Sequence, residues 1–186
     1  MELSKQMGLS KQMELYNFPN HLVEQLQAGH VERFHTVQRL GVRTVAHHSF
    51  NIMLILNWMY DNEPPGRLMR AAMQHDLHEV YMGDIPYPIK QNLEIKDALK
   101  EIETGINNRM GIKNDLTESE QKTLDAVDLI EFMYYLLEER QLGNTNNQEI
   151  FTRAANIHTK NNYSFPKSEK LFEFKKWIIR EWRKFK

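Results

Sequence analysis

The chain has 186 residues, of which 41% are hydrophobic and 26% are charged, proportions that are typical of a globular domain. Its formal net charge of −1 excludes a polycationic protein built for nucleic-acid polymers, and no apolar run has the length of a membrane span or signal peptide. Because cysteine is absent, disulfides, thiolate zinc sites, iron–sulfur clusters and a cysteine nucleophile are excluded. Any metal site must therefore use imidazole and carboxylate ligands, which suit Zn, Co, Mn, Ni or Fe.

The N-terminal segment contains a short duplication. Leu-Ser-Lys-Gln-Met occurs at residues 3–7 and again at residues 9–13. So short a period matches no solenoid repeat, and chain termini are often poorly ordered. We therefore predict a flexible N-terminal extension over residues 1–15 and one folded domain over residues 16–186, because no later linker is long or polar enough to divide the chain.

Helical signals follow in the first half of the chain. Asn20 can cap a helix that Gly29 ends, and Thr44 can cap a second helix reaching about residue 59. The second helix is apolar on nearly all sides, so we expect it to be central. After a Pro-Pro-Gly break at 64–66, a third helix is predicted from Arg67 to Met82. Residues 84–88 should form an extended turn, because prolines at alternate positions resist a helix.

The second half is predicted to be helical as well. A charged helix should cover residues 89–110, and Thr117 with Glu120 forms a capping box for a long helix that Gly143 closes. Further helices are expected near residues 149–158 and after Pro166. No segment alternates with the period of a β-strand. The sequence therefore predicts an all-α single domain of six to eight helices.

The third predicted helix carries the strongest chemical signal. It contains His75, Asp76, His78 and Glu79 beside apolar residues, and Asp84 follows one turn later. Ionisable groups at the end of a core helix are costly to bury unless a metal or charged partners neutralise them. This cluster is therefore a candidate metal or catalytic site, although His78 is better explained as a surface residue or a residue behind the ligands.

Two other helices supply further candidates. His47 and His48 begin the second helix, and because consecutive helical residues point about 100° apart, only one of them can face a given site. Asp128 lies within an apolar stretch of the long helix, where a carboxylate is rarely inert. Other acids of that helix are expected on its solvent-facing side: Asp125, Glu131, Glu138 and Glu139.

These residues, in this order, resemble the HD-domain metal-dependent phosphohydrolases. Within them the similarity is to the bacterial 5′-deoxynucleotidases and the short phage dATP triphosphohydrolases, over roughly residues 18–142. Departures are an Ala-His pair at 46–47 before the first histidine and a phenylalanine at position 34 where tryptophan is common. The motifs that carry the resemblance are Arg33-Phe34, His48-Ser49, the His75-Asp76-Leu77-His78-Glu79 run, the segment from Gly83 to Lys90, and Asp128.

The resemblance implies roles for the candidates. Glu79 would be catalytic, positioning or deprotonating the attacking water, and Asp84 would orient that water or contact the sugar 3′-hydroxyl. Ser49 favours His48 over His47 as the first histidine ligand. The implied metal ligands are His48, His75, Asp76 and Asp128.

Substrate contacts are implied on the same basis. Arg33 and Lys90 would hold phosphate oxygens, and Phe34 would pack on the base or sugar. For His35 the sequence leaves a substrate contact and simple packing equally open. The basic C-terminal residues, including Lys175, are expected to form a solvated face, and Trp177 and Trp182 to anchor the last helix.

The resemblance implies a hydrolase that cleaves the 5′ phosphoester of 2′-deoxynucleotides with a divalent transition metal, with Mg on the substrate phosphates as a further option. The compact chain favours a dATP triphosphohydrolase; the alternative is a 5′-deoxynucleotidase of monophosphates, and a more remote one is a non-catalytic nucleotide-binding module. We expect a cytoplasmic homo-oligomer, a dimer or hexamer in bacteria or phage-infected cells. Its partner would be the deoxynucleotide, without a nucleic-acid polymer or a membrane.

Overall fold

The computed structural model describes residues 20–161 and 164–185, so the predicted extension over residues 1–15 and its duplication lie outside the described residues. Within the described ranges the chain is helical, and β-type pairing is limited to an isolated bridge between Glu32 and Thr44. The prediction of an all-α fold is confirmed. None of the helices in these ranges combines the length and apolar character that crossing a bilayer requires.

The helices follow one another with short connections, and a 3-10 turn at Gln27–His30 extends the first of them. The longest connection, residues 31–44, runs between this turn and the second helix. It contains Arg33, Phe34 and His35. The helices are α1 (Asn20–Leu26), α2 (Val45–Met59), α3 (Gly66–Gln74), α4 (Glu79–Met82), α5 (Tyr87–Lys90), α6 (Lys96–Arg109), α7 (Glu118–Gln141), α8 (Gln148–Lys160) and α9 (Ser168–Trp182).

Helix α7 is the centre of the core, because α2, α3, α8 and α9 all pack against it. It begins with the predicted capping box: the Thr117 hydroxyl accepts a hydrogen bond from the Glu120 N–H, and the Glu120 carboxylate accepts one from the Thr117 N–H. The capping box satisfies N–H groups that the first turn of a helix otherwise leaves unpaired. The fully buried side chains of α7 include Val127, Ile130 and Leu137.

Helix α2 begins as predicted, with the Thr44 hydroxyl accepting a hydrogen bond from the His47 N–H at 3.2 Å. Its central position is only partly as expected. Ile52, Leu56 and Met59 are fully buried. A second apolar row faces outward, because its members, spaced one helical turn apart, lie on one side of the helix. The exposed row consists of Phe50, Leu54 and Trp58, each about half exposed.

Two predicted boundaries near the chemical cluster are wrong. The third helix does not continue to Met82, because α3 ends at Gln74 and turns lead to the single-turn helix α4. The segment after Gly83 is not extended throughout, because Tyr87–Lys90 forms helix α5 with Pro88 in its first turn. Proline is compatible with the first turn of a helix, where its missing N–H has no intrahelical partner.

Helices α8 and α9, which form the C-terminal part of the chain, both pack against α7. The ring of Trp182 stacks on Phe151 with centroids 3.7 Å apart, which anchors α9 as predicted, whereas Trp177 is partly exposed. Lys175 does not belong to a solvated basic face, because it is buried and donates hydrogen bonds to Thr159 Oγ1 at 2.8 Å and to the Ala155 carbonyl. The rest of α9 can still present its other basic residues to solvent.

Candidate metal centre and substrate site

Three of the side chains implied as ligands, those of His48, His75 and Asp76, lie close enough to one another to share one ion, and Asp128 of α7 approaches His48. Nε2 of His48 lies 3.2 Å from Nε2 of His75, 3.0 Å from Oδ1 of Asp128 and 3.5 Å from Oδ2 of Asp76. His75 Nε2 is 3.4 Å from the same Asp76 oxygen. The turn that ends α3 makes this convergence possible, since neighbouring residues of a straight helix would point apart.

The hydrogen bonds behind the two imidazoles define what faces the centre. Nδ1 of His75 lies 2.8 Å from the carbonyl oxygen of Ala72, which can only accept, so this nitrogen carries the hydrogen. Nδ1 of His48 lies 2.6 Å from a carboxylate oxygen of Glu131, and burial together with the charge of Arg33 lowers the pKa of His48 to about 4. The lowered pKa keeps the His48 ring neutral, and the Nε2 atoms of both imidazoles face the centre.

This donor arrangement fits a cation. Imidazole lone pairs and carboxylate oxygens that approach within 3.0 to 3.5 Å of one another repel unless positive charge lies between them. His48, His75 and Asp76 are close enough to share one ion, and Asp128 is half exposed beside His48. Nitrogen and oxygen ligands of this kind suit a divalent transition metal. The residues present therefore fit the metal that the sequence resemblance implies.

Glu131 is not the surface residue that the sequence predicted. It is 1% exposed, its Oε2 contacts His48, and its other oxygen accepts a hydrogen bond from Asn51 at 3.1 Å and pairs with Arg43. The sequence signal for this arrangement was absent, because His48 and Arg43 lie far from Glu131 along the chain. Asp125, by contrast, is exposed as expected.

His47 faces away from this centre. Its Nε2 lies 3.5 Å from a guanidinium nitrogen of Arg43, which also pairs with Glu138 at 3.1 Å. A cleft of about 340 Å³ opens on that side, lined by His47, Arg43, Tyr135 and Glu138 among others, and not by the converging ligand candidates. The two adjacent histidines therefore lie on different sides of α2, and only His48 contacts the other ligand candidates.

Glu79 lies next to the converging residues and is buried. Its Oε1 accepts a hydrogen bond from Lys90 Nζ at 3.0 Å, while its Oε2 has no protein partner among the described residues. Burial and the charge of Asp76 raise the pKa of Glu79 to about 7, against the opposing charges of Lys90 and Arg33. A carboxylate with a free oxygen and such a pKa is suited to accept a proton near neutral pH.

His78 is buried rather than exposed, with Nε2 3.7 Å from Glu103. Together with Asp76 and Glu79 it forms a second group of potential ligands. Lys90 already pairs with Glu79, and His78 itself faces Glu103, so both residues that are particular to this group have charged partners in the protein. We assign His78 no ligand role.

Three of the residues implied for substrate binding, Arg33, Phe34 and His35, lie on the loop 31–44, whereas Lys90 lies on α5. Arg33 pairs with Asp76, and its guanidinium carbon lies 5.5 Å from the centre of the Phe34 ring. Phe34 adopts a left-handed backbone with φ of 58°, and its N–H donates to Asp84 Oδ2 at 2.7 Å. Asp84 thus fixes a strained point of this loop, a function that the sequence did not predict. The Phe34 ring stacks on Phe132 and Tyr135 of α7, at 5.1 and 4.8 Å between centroids.

A second carboxylate holds the far end of the same loop. Glu139, predicted to be a surface residue, is 2% exposed and accepts hydrogen bonds from the N–H groups of Leu40 at 2.8 Å and Gly41 at 2.7 Å. Asn144 donates to Glu139 at 2.9 Å and to the carbonyl of Gln38 at 3.0 Å. The loop is therefore clamped at both ends. His35 is exposed at its outer turn, so packing in the core does not explain it.

Two comparisons of the sequence with known proteins find relatives. Residues 21–111 match the family model described as 5′-deoxynucleotidase YfbR-like. The chain is 33% identical over 82 residues to 5′-deoxynucleotidase PM0747 of Pasteurella multocida, a match that covers 39% of this chain and 42% of the relative. The chain thus spans less than half the length of this curated relative.

Solved structures show the same fold. The HD phosphohydrolase DatZ of cyanophage S-2L, solved bound to dA and one catalytic Zn²⁺ ion, superposes with a TM-score of 0.66 at 20% identity, covering 85% of this chain and 96% of that one. An HD-domain phosphohydrolase of Listeria innocua gives a TM-score of 0.66 at 24% identity, covering 87% of each chain. The protein therefore has the fold of the HD phosphohydrolases, and the sequence of its residues 21–111 is of the YfbR-like 5′-deoxynucleotidase type.

Proposed function

We propose that the protein is a metal-dependent phosphohydrolase that cleaves the 5′ phosphoester of 2′-deoxynucleotides. The observation that carries the proposal is the close approach of His48, His75 and Asp76, with the Asp128 carboxylate 3.0 Å from His48 Nε2. The family model and the curated relative support the substrate class by their names. Zn²⁺ is the first metal to test, because the cyanophage structure contains it; Co, Mn, Ni and Fe suit the same ligands.

His48, His75, Asp76 and Asp128 would hold the metal, which when bound lowers the pKa of a water molecule and withdraws charge from a phosphoryl oxygen. Each side chain beside it has its own part. Glu79, with one oxygen free of protein partners, accepts the proton of the attacking water. Arg33 and Lys90, which pair with Asp76 and Glu79, would neutralise phosphate oxygens.

The charge around the site favours a 5′-monophosphate over a triphosphate. Among the described residues, Arg33 and Lys90 are the cations paired with the carboxylates of the cluster, and each is partly neutralised by its own partner. A triphosphate carries about twice the charge of a monophosphate near neutral pH and needs more cations or a second metal. The names of the sequence relatives point the same way.

A dATP triphosphohydrolase is the second candidate, favoured by the compactness of the chain. The superposition takes in 96% of the cyanophage enzyme and 85% of this chain. With either substrate, Phe34, Asp84 and His35 would contribute to base and sugar contacts. Phe34 is held by its stacking on α7.

The deciding experiment is an assay of the purified protein with Zn²⁺, Co²⁺ or Mn²⁺ and with dAMP or dATP. Inorganic phosphate released from dAMP supports the first candidate, and triphosphate released from dATP supports the second. Glu79→Gln should lower kcat by at least about a hundredfold, which is the typical contribution of a positioned general base. A protein that turns over neither nucleotide with any of these metals contradicts the proposal.

We also propose a homo-oligomer, in keeping with the resemblance. The exposed row of Phe50, Leu54 and Trp58 on α2 supports this, since large apolar side chains in line often mark a protein interface. Light scattering coupled to size exclusion would measure the mass in solution, and a strictly monomeric protein would contradict the proposal.

A further inference from the structure

Glu131 touches an implied metal ligand without belonging to the ligand set. Its carboxylate is 1% exposed, and the His48 ring that it contacts is equally buried. One oxygen lies 2.6 Å from His48 Nδ1, and the other accepts from Asn51 at 3.1 Å and pairs with Arg43. Asn51 and Arg43 therefore hold the carboxylate in the orientation in which its other oxygen contacts the imidazole.

We propose that Glu131 is a positioning residue that fixes the ring orientation and the tautomer of His48 and thereby sets the metal affinity of the centre. The inference rests on the proposed function, because it presupposes that a metal binds at His48. It goes further in assigning a role to an acid that neither the ligand set nor the substrate contacts include.

The physical argument starts from the tautomer. A neutral imidazole has one N–H donor, and the nearest acceptor at Nδ1 of His48 is the Glu131 carboxylate. When Nδ1 donates, the lone pair of Nε2 is directed toward His75, Asp76 and Asp128. A carboxylate partner also increases the basicity of the opposite nitrogen, which strengthens a ligand bond.

The two histidines differ in this respect. His75 donates its Nδ1 hydrogen to the carbonyl of Ala72, a neutral acceptor at 2.8 Å, whereas His48 donates to an ionic one. The negative charge behind the centre is therefore concentrated on the His48 side. Arg43 pairs with the Glu131 carboxylate, so this buried acid has a positively charged partner.

The test compares Glu131→Gln with Glu138→Gln. Glu138 lies on the same helix and pairs with the same Arg43 at 3.1 Å, but it does not contact His48. The control therefore removes an acid from Arg43 while leaving the imidazole untouched. The measured quantity is the dissociation constant of Zn²⁺, obtained by competition with a chromophoric chelator. We expect Glu131→Gln to weaken binding by about 10- to 100-fold and Glu138→Gln to leave it near the wild-type value.

A second readout is independent of activity and of the metal. Nitrogen-15 NMR of the metal-free wild-type protein should show His48 as the Nδ1–H tautomer, and Glu131→Gln should shift it toward a mixture with the Nε2–H form. An Nε2–H tautomer in the wild-type protein overturns the inference even if the variant fails to fold.

The remaining outcomes separate this inference from the proposed function. Wild-type protein that binds no Zn²⁺ contradicts the proposed function itself. Zn²⁺ bound equally well by the wild-type protein and by a folded Glu131→Gln variant contradicts only the role of Glu131.

Discussion

Glu139 and Gly41 are joined by a contact that a larger residue at position 41 would crowd. Oε1 of Glu139 accepts the Gly41 N–H at 2.7 Å, and a Cβ atom added to Gly41 would lie 3.1 Å from that same oxygen. The other oxygen accepts from Leu40 and Asn144. The end of the substrate loop is therefore attached to α7 through one fully occupied carboxylate.

The first prediction concerns this attachment. In Glu139→Gln an amide nitrogen replaces one acceptor, so at least one N–H of the clamp faces another donor. The loop that carries Arg33 should then lose its fixed position, and we expect KM for the deoxynucleotide to rise by about tenfold with a smaller change in kcat. Steady-state kinetics would measure both constants. Unchanged KM would show that the loop is held by its other contacts alone.

A second prediction concerns Lys90 and the pH dependence of the reaction. The pKa of Glu79, raised to about 7 by burial and by Asp76, is held down by the Lys90 charge. Lys90→Met should therefore raise that pKa further. Because the base must be deprotonated, the acidic limb of the profile of log kcat/KM should move to higher pH relative to the wild-type protein.

The control for Lys90 is Lys170→Met, which removes a lysine that pairs with Asp61 at the surface, away from the cluster. This variant should keep the wild-type pH profile. An acidic limb that stays in place in Lys90→Met would mean that Glu79 is not the group that titrates in the profile.

A third prediction concerns stability in acid. Burial, followed by the charge of Lys175, lowers the pKa of His158 to about 4, below its ordinary value of 6.5. Between those values the unfolded chain binds a proton that the folded protein does not, so stability falls as the pH decreases from 6.5 toward 4. At pH 5 the loss from this residue should be about 1–2 kcal/mol relative to pH 7.

Urea unfolding of the wild-type protein and of His158→Gln at the two pH values would measure the difference. The variant is less stable at neutral pH for reasons of packing, but its free energy of unfolding should change less between pH 7 and pH 5. An equal change in both proteins would exclude His158 as the source.

A fourth prediction tests the capping box of α7. Thr117→Ala removes the hydroxyl that accepts from the Glu120 N–H and should lower the free energy of unfolding by about 1 kcal/mol. The matched control is Thr104→Ala in α6, whose hydroxyl only donates to the carbonyl of Lys100, and it should cost less than about 0.5 kcal/mol. Denaturant unfolding followed by circular dichroism would compare them.

The elements that could be predicted are those whose causes are local in sequence. Thr44 and the Thr117–Glu120 pair predict where α2 and α7 begin, because capping depends on residues within one turn. The end of α3 at Gln74 could not be predicted in this way, since the apolar pattern continues past it. The turn there is selected by the packing of the charged cluster, which is a property of the tertiary structure.

The candidate site divides along the same line. The motif around His75 and Asp76 is visible in the sequence because its residue types are costly without a chemical purpose. The sequence predicts Glu131 and Glu139 on the surface because their partners, on α2 and on the loop 31–44, are distant in the chain. Helical periodicity alone also misplaced the exposed row of α2, since an apolar residue can face solvent.

The turn that separates α3 from α4 also limits how the site could be transferred to another protein. His75 and Asp76 lie where the α-helix gives way to turns closed by hydrogen bonds between residues three apart, and His75 Nε2 is 3.4 Å from the Asp76 carboxylate. On an uninterrupted helix the side chains of His75 and Asp76 would point about 100° apart. A design that transfers the motif to another protein should therefore include the turns that follow α3.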